Sequence, residues 1–270
     1  MPSGIGAEGS GAPVPDRRRG STGFHAFLYQ STDSAGMDEG LRVRERLGVA
    51  DVVTLANATI GIAAAVVALS DPSLAARLVL LAAIADALDG IVARTMGSTA
   101  VGPLLDSVTD VVSFGATPAL FVYGAAAAEW GWLADGPFAA PPMELAVALA
   151  VASVFVIMSL LRTALYSEFV GPDENRPGIQ NTLGATILVT AYLAGLTHVP
   201  TLLAASVLLS LAMVAPVPYP KLLARDASVL GVVQAGAIIA PAAYGRLLPR
   251  ALLVAAMAYM LLGPRYYWGE

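Results

Sequence analysis

The chain has 270 residues, of which 57% are hydrophobic and 13% are charged, with a net charge of −5. Soluble domains carry about 25% charged residues, so this composition excludes an ordinary soluble protein and indicates a polytopic membrane protein. Cysteine is absent and two histidines occur, which excludes disulfides, thiolate centres and histidine-rich metal sites. Any bound metal must therefore be held by oxygen atoms.

The first segment, residues 1–36, is polar and rich in Gly, Ser and Pro. It contains no apolar run suited to a signal peptide, so we interpret it as a disordered tail or as the product of a mis-assigned start, because Met37 would begin a more conventional chain. Residues 37–50 follow, with three arginines between positions 42 and 46 just before an apolar run. This pattern predicts a short amphipathic helix at the membrane interface.

Apolar segments of roughly spanning length occupy the rest of the chain. We predict eight transmembrane helices, near residues 52–70, 75–95, 102–124, 143–163, 179–197, 200–217, 228–244 and 247–263. Residues 51–217 hold the first six and are expected to form the core, and residues 218–270 hold a C-terminal pair. The expected fold is an all-α integral membrane protein with an N-terminal interfacial helix.

Basic residues fall mainly on one side of these segments. The side that holds the N-terminus has Arg42, Arg44, Arg46, Arg94, Arg162, Arg176, Lys221, Arg225 and Arg265, and the other side has Arg77, Arg246 and Arg250. Loops rich in Lys and Arg stay in the cytoplasm, so we predict a multi-pass cell-membrane protein with both termini inside.

Four aspartates lie in the second and third predicted spans. Asp86 and Asp89 are three residues apart, and Asp106 and Asp110 are four apart, so each pair lies on one helix face. A short loop joins the two helices, which we therefore expect to be antiparallel neighbours with facing carboxylates.

Ionised aspartates inside a membrane need partners. Each costs roughly 2.5–3.5 kcal/mol at a helix centre, and four would cost on the order of 10 kcal/mol. Arg94 alone cannot neutralise them, whereas hard divalent cations bind carboxylate oxygens and often share their coordination with substrate phosphates. A lone aspartate is often a structural hydrogen-bond partner, but four at this spacing, interleaved with small residues, favour a metal-dependent site that handles phosphate.

A cation-coupled transporter is the alternative from another class, because transporters also use intramembrane aspartates. Transporters usually show two related halves with interrupted helices. Here the aspartates all lie within residues 86–110, and the second half of the chain has no counterpart. The pattern favours phosphate chemistry over transport.

The stretch from Asp86 to Asp110 fits D-x-x-D-G-x-x-A-R-x7-G-x-x-x-D-x-x-x-D at every fixed position. It resembles the signature of the CDP-alcohol phosphotransferases, a family with a six-helix membrane core. The resemblance implies that an alcohol attacks the phosphorus next to the lipid in a CDP-lipid and displaces CMP with the help of Mg²⁺ or Mn²⁺, as one or two ions.

The same resemblance assigns roles position by position. It implies metal ligands at Asp86, Asp89 and Asp106, and either a metal ligand or the base that takes the alcohol proton at Asp110. It also implies that the nucleotide lies beside four further residues, Gly90, Ala93, Arg94 and Gly102.

The flanking residues are similar to the serine branch of this family. The run LDSVTDVVSFGATPA has Val111 where a branch using glycerol phosphate usually has lysine, and VVTLANATIG matches T-x-x-N-x-x-x-G in the first span. Two departures occur. The usual Pro-Asn pair before the first span is Ala50-Asp51 here, and Leu165 replaces the second of two arginines at the end of the fourth span, which leaves Arg162.

The resemblance thus implies a membrane enzyme acting on a CDP-lipid and L-serine, with no nucleic-acid partner. Asn57, Ser113 and Arg162 are the candidate substrate residues, and Arg162 suits a serine carboxylate or a lipid phosphate. An isoprenoid-ether lipid is favoured, with a diacyl lipid as the alternative. The site is expected to face the cytoplasm and the protein to be a homodimer. Inositol phosphate and glycerol phosphate remain alternative alcohols.

Overall fold

The computed structural model describes residues 43–132, 140–169, 176–220 and 224–266. The predicted tail, residues 1–36, and the first part of the predicted interfacial segment, residues 37–42, lie outside this range. The described residues from Arg46 onward belong to one unit, which contains every element from the second helix onward.

The described residues form ten α-helices, one π-helix and two very short strands. In chain order they are α1 (Val43–Arg46), α2 (Val49–Ala68), α3 (Pro72–Met96), α4 (Gly102–Val111), the π-helix (Val112–Ala116), α5 (Thr117–Glu129), α6 (Pro142–Phe169), β1 (Arg176–Pro177), α7 (Asn181–Leu193), α8 (Val199–Met213), β2 (Pro218–Tyr219), α9 (Ala224–Ile239) and α10 (Ala243–Tyr266).

Each predicted span corresponds to a helix, and α4, the π-helix and α5 together form the third. Within the described residues, four helical segments are long and apolar enough to cross a membrane: Val49–Ala68, Gly102–Glu129, Pro142–Phe169 and Ala243–Tyr266. The apolar helices α7 and α8 have only 13 and 15 residues. The chain is therefore an all-helical multi-pass membrane protein, and the number of eight spans remains a prediction.

Local sequence signals explain where α3 begins and ends. Asp71 caps its N-terminus, because its Oδ1 accepts a hydrogen bond from the Leu74 amide at 3.0 Å, and Pro72 occupies the first helical position. Gly97 follows the last turn with a φ of 95°, a conformation that glycine adopts without strain. The helix carrying Asp86 and Asp89 is thus delimited at both ends by its own sequence.

Small side chains allow close packing of α2 against α3. Ala64, Ala68, Ala75 and Ala76 are all completely buried. Without large side chains between them, backbones can approach closely, which is the usual mode of helix association in membranes. This packing holds α2 beside the two aspartates of α3.

The helix α9 runs antiparallel to α3. Arg77 Nε donates to the Ile238 carbonyl at 2.6 Å, and Gln234 Nε2 donates to the Leu80 carbonyl at 2.7 Å. The C-terminal end of α9 therefore lies near the start of α3, and its N-terminal end lies toward the half of α3 that carries the aspartates.

The start of α10 departs from a regular helix. Three consecutive residues, Tyr244, Gly245 and Arg246, have φ values of 48°, 65° and 67°, in the left-handed region. The regular helix thus begins beyond Arg246, which agrees with the predicted start near residue 247.

Two tyrosines connect the loop after α8 to α10. Tyr219 of β2 donates its hydroxyl to the Met260 carbonyl at 3.0 Å, and Tyr259 of α10 donates to the Pro220 carbonyl at 2.5 Å. On its other side β2 pairs with β1, Arg176 opposite Tyr219. The C-terminal pair is thereby linked to the segment that precedes α7.

Candidate active site

Three of the predicted aspartates converge at one point. Asp86 of α3 and Asp106 and Asp110 of α4 each offer a carboxylate oxygen, and these oxygens lie within 4.8 Å of one another. Asp86 and Asp110 are half-buried, whereas Asp106 is exposed. The spacing of four on α4 and the short loop after α3 produce this convergence, as the sequence predicts.

The fourth aspartate, Asp89, is not part of this three-carboxylate group. Its side chain is buried and lies within hydrogen-bonding reach of Thr54 on α2. It is near enough to interact electrostatically with Asp86 and Asp110. Asp89 therefore lies beside the three-carboxylate group, near α2, and does not belong to the group itself.

The chemistry of the group fits a hard divalent cation. In the described part of the chain, Asp110 Oδ1 and Asp89 Oδ2 are buried without a hydrogen-bond partner. Buried carboxylate oxygens of this kind are costly unless a cation or a donor meets them. Arg162 acts electrostatically on Asp110, but one guanidinium does not balance several carboxylates. An all-oxygen donor set is what Mg²⁺ and Mn²⁺ prefer.

Asn57 connects α2 to the three-carboxylate group. Its side chain is fully buried, and Nδ2 donates to Asp86 Oδ1 at 3.4 Å. Its backbone carbonyl accepts a hydrogen bond from Ser113 Oγ at 3.3 Å. Asn57 thus contacts a carboxylate directly, whereas Ser113, also fully buried, links the π-helix to α2.

Arg162 approaches the group from α6. The residue is half-buried, and its guanidinium lies over the ring of Tyr166, 5.4 Å from the ring centre. Tyr166 is one turn further along α6, so the helix itself sets the position of the charge. The positive charge of Arg162 acts electrostatically on Asp110.

The residues predicted to border the nucleotide lie on α3 and at the start of α4. Gly90 and Ala93 are half-buried and Arg94 is exposed. A β-carbon built on Gly90 would lie 3.5 Å from Arg94 Nη1, so this arginine covers the glycine. At Gly102 a β-carbon would lie 2.8 Å from Ser98 Oγ and 3.1 Å from Asp51 Oδ1, so a larger residue there would require these side chains to shift.

Asp51 has a role that the sequence did not reveal. It is 1% exposed, and its Oδ2 accepts hydrogen bonds from the Gly48 amide at 2.7 Å and from Thr99 Oγ1 at 2.8 Å. Thr99 Oγ1 in turn accepts from the Gly102 amide at 3.0 Å. Asp51 therefore ties the start of α2 to the loop between α3 and α4. An aspartate in the first turn of an apolar helix is a capping signal that could have indicated this.

The π-helix that begins two residues after Asp110 is the second feature that the sequence did not reveal. Thr117 Oγ1 donates to the Val112 carbonyl within this segment and to the Gly61 carbonyl of α2, at 2.9 and 3.0 Å. Pro118, which lacks an amide hydrogen, follows and cannot continue the regular bonding pattern. Such segments are rare and frequently occur at functional sites. Here the wider turn changes the rotation of α5 about the helix axis relative to α4, and so determines which side chains of each helix face their neighbours.

The packing of the π-helix depends on two glycines. A β-carbon built on Gly61 of α2 would lie 2.5 Å from Ser113 Oγ, and one on Gly115 would lie 2.5 Å from Ser159 Oγ of α6. Both helices therefore approach the π-helix more closely than an alanine would permit. Close packing of α2 against the π-helix thus explains why the T-x-x-N-x-x-x-G pattern ends in glycine, Gly61.

The sequence profile of the CDP-alcohol phosphatidyltransferase family matches residues 47–218. The match covers more than half of the chain and includes the three-carboxylate group, so the protein belongs to this family, and it is a phosphotransferase. The resemblance stated from the aspartate signature is confirmed. Enzymes of this family generally use divalent metals, in agreement with the oxygen donors.

Individual relatives point to one branch of the family. An archaetidylserine synthase of Methanothermobacter thermautotrophicus is 27% identical over 69% of this chain and 76% of its own length. A CDP-diacylglycerol–serine O-phosphatidyltransferase of Methanocaldococcus jannaschii is 30% identical over 66% of this chain and 77% of its own. The protein of the latter name from Mycobacterium tuberculosis is 43% identical over 65 residues, 23% of each chain. These similarities support the assignment to the serine branch.

Proposed function

We propose that this protein transfers the lipid-phosphate group of a CDP-lipid to the hydroxyl of L-serine and releases CMP. The observation that carries the proposal is the three-carboxylate group of Asp86, Asp106 and Asp110, found in a chain whose relatives are named for serine transfer. An isoprenoid-ether CDP-lipid is the proposed lipid substrate, in line with the similarity to an archaetidylserine synthase.

In this proposal the three-carboxylate group would hold a divalent metal, Mg²⁺ or Mn²⁺, and Asp89 would be a ligand for a second ion. The metal would neutralise charge on the diphosphate and on the departing CMP. Support comes from the unpartnered buried oxygens of Asp89 and Asp110. Asn57 would hold the Asp86 carboxylate in place through its amide hydrogen bond.

Asp110 is the proposed base. Its carboxylate takes the proton of the serine hydroxyl, the serine oxygen forms a bond to the phosphorus next to the lipid, and the bond from that phosphorus to the CMP oxygen breaks. CMP leaves with the electron pair of the broken bond. An alcohol is a poor nucleophile at neutral pH, so a carboxylate base positioned at the hydroxyl supplies part of the rate. The buried, unpartnered Oδ1 of Asp110 is available for this proton.

The substrates are proposed to lie on either side of the carboxylates. The small residues Gly90, Ala93 and Gly102, with Arg94, would border the nucleotide. Arg162 would bind the serine carboxylate or the lipid phosphate, because guanidinium groups pair well with both. Ser113, which donates to the Asn57 backbone, would act by positioning Asn57.

We further propose that the active site faces the cytoplasm and that the protein is a homodimer. The natural chain has no cysteine, so single cysteines can be introduced for labelling. A cysteine at Ser98 in the loop after α3 should react with a membrane-impermeant maleimide only in inside-out vesicles, and one at Ser70 after α2 only in right-side-out vesicles. The reverse result would contradict the orientation.

The alcohol can be determined with purified protein, a CDP-lipid and Mn²⁺ or Mg²⁺. CMP release is measured with L-serine, glycerol phosphate and inositol phosphate in parallel. We expect release with serine, loss of release after chelation by EDTA, and recovery when the metal is added back. Release with glycerol phosphate or inositol phosphate but not with serine would show that the enzyme belongs to another branch.

The base is tested by Asp110→Asn. The amide cannot accept the proton, so we expect the rate of CMP release to fall by about 10²–10⁴-fold, the usual contribution of general-base catalysis. The matched control is Asp71→Asn at the N-terminus of α3, away from the site. Asparagine keeps a side-chain oxygen that can cap the helix, so this variant should leave the rate unchanged. A near-normal rate for Asp110→Asn would exclude this role.

A further inference from the structure

An open cavity of about 480 Å³ lies between α9 and α10, outside the carboxylate site. Apolar side chains line most of it, among them Val229, Leu230, Ala258 and Leu262. Val229 and Leu262 are more than half exposed, so the cavity opens to the surface of the helix pair. In a membrane protein such a surface meets lipid chains rather than water.

Two opposite charges stand at one end of this cavity. Arg225 is 93% exposed, and its Nε lies 3.9 Å from Asp226 Oδ1. Both residues belong to the first turn of α9, which the antiparallel contact with α3 directs toward the half that carries the aspartates. The cavity is therefore apolar along its length and carries a cation and an anion at its end.

We propose that this cavity binds a membrane phospholipid whose headgroup carries both a phosphate and an ammonium group. Arg225 would pair with the phosphate, Asp226 with the ammonium, and one lipid chain would lie along Val229, Ala258 and Leu262. The volume is in the range of about 300–1,000 Å³ found for small-molecule sites. The adjacent opposite charges distinguish this headgroup from a purely anionic one, which Asp226 would repel.

The occupied cavity would contact the link between α10 and the core. Tyr259 lines the cavity, and its hydroxyl also donates to the Pro220 carbonyl. A bound lipid chain thus packs against the ring that fastens α10 to the loop before α9. Binding is a property of the C-terminal pair and requires no turnover, so the proposal does not rest on the proposed reaction.

The absence of cysteine permits a site-specific test on the full-length protein. A bimane label on Leu262→Cys reports from the cavity, and the same label on Val254→Cys, an exposed position of α10 outside the cavity lining, reports contact with bulk lipid. The labelled protein is placed in vesicles of phosphatidylglycerol that contain a small, fixed fraction of a lipid with brominated chains. This lipid is either phosphatidylserine or phosphatidylglycerol, and its bromine atoms quench the label on contact.

We expect brominated phosphatidylserine to reach the Leu262→Cys label with about tenfold preference over brominated phosphatidylglycerol, and no such preference at Val254→Cys. Adding Asp226→Asn should remove the preference, because the carboxylate that pairs with the ammonium is lost, while Asp71→Asn, a change of an acid outside the cavity, should retain it.

Three results would overturn the proposal. Equal quenching by both lipids at the two labels would show bulk contact only. A preference that survives Asp226→Asn would show that the paired charges do not select the headgroup. Protection from both lipids that appears only at high protein-to-lipid ratio would show that a second copy of the chain covers this face.

Discussion

Replacing Gly61 by alanine tests how closely α2 must approach the π-helix. A β-carbon built on Gly61 would lie 2.5 Å from Ser113 Oγ and 3.0 Å from Ser113 Cα, whereas ordinary contacts begin at 3.4 Å. The hydroxyl can rotate away, at the loss of its bond to the Asn57 carbonyl, but the Cα atom belongs to the backbone. The two helices must therefore separate by about 0.4 Å, the difference between 3.4 and 3.0 Å.

This displacement acts on the active site through Asn57, which lies one turn before Gly61. Its hydrogen bond to Asp86 is already long, at 3.4 Å, so a small displacement of α2 is enough to disturb it. We expect Gly61→Ala to lower stability by about 1–3 kcal/mol, the usual cost of overpacking. We expect turnover to fall by about tenfold, since a misplacement of about 1 Å can cost about 10²-fold.

Gly231→Ala is the matched control. Gly231 lies within α9, and a β-carbon built there would meet no atom within 4 Å. Alanine is the better helix former, so this variant should be neutral or more stable by up to about 1 kcal/mol, with normal turnover. Thermal unfolding in detergent and CMP release with serine measure the two effects. If Gly61→Ala behaved like Gly231→Ala in both assays, the packing argument would be refuted.

Three further variants test other contacts. Asp51→Ala removes the acceptor of two hydrogen bonds and should lower the free energy of unfolding by about 1.5–3 kcal/mol. The control Asp71→Ala removes an exposed helix cap and should cost about 1 kcal/mol; equal losses would argue against a role for Asp51 in joining α2 to the loop after α3. Tyr259→Phe keeps the ring but loses the bond to Pro220, and thermal unfolding should detect a loss of about 1 kcal/mol, which an unchanged midpoint would contradict. Arg162→Lys keeps the charge without the planar fork, so KM for serine should rise about tenfold with a smaller change in kcat; a change in kcat alone would count against substrate binding.

The positions of the helices and the convergence of the aspartates could be predicted from the sequence. Both depend on local regularities: the length of apolar runs, and spacings of three and four residues on a helix. Asp86, Asp106 and Asp110 meet because the short loop makes α3 and α4 neighbours and the aspartates lie on the sides of these helices that face each other. The signature then placed the chain in a family, which no single spacing could have done.

The π-helix and the role of Asp51 could not be predicted in the same way. A period of 3.6 residues describes the average helix and does not reveal one wider turn. That turn depends on Thr117 and Gly115, whose partners are on α2 and α6. The sequence showed Asp51 only as part of Ala50-Asp51, which replaces the usual Pro-Asn pair. Its hydrogen-bond partner Thr99 is 48 residues away, so local spacing could not indicate the contact. Contacts of this kind depend on the assembled fold.

The structure also explains the three arginines that are predicted on the side of the membrane with few basic residues. Arg77 donates to the Ile238 carbonyl in the last turn of α9, and Arg250 donates to the Ala194 carbonyl just beyond α7, at 2.6 and 3.4 Å. A β-carbon built on Gly195 would lie 3.0 Å from Arg246 Nη1. All three therefore lie at helix C-termini, where carbonyls lack partners and positive charge is stabilising. Local capping thus accounts for the positions of these three residues, and the orientation of the chain remains a proposal that the cysteine-labelling experiment tests.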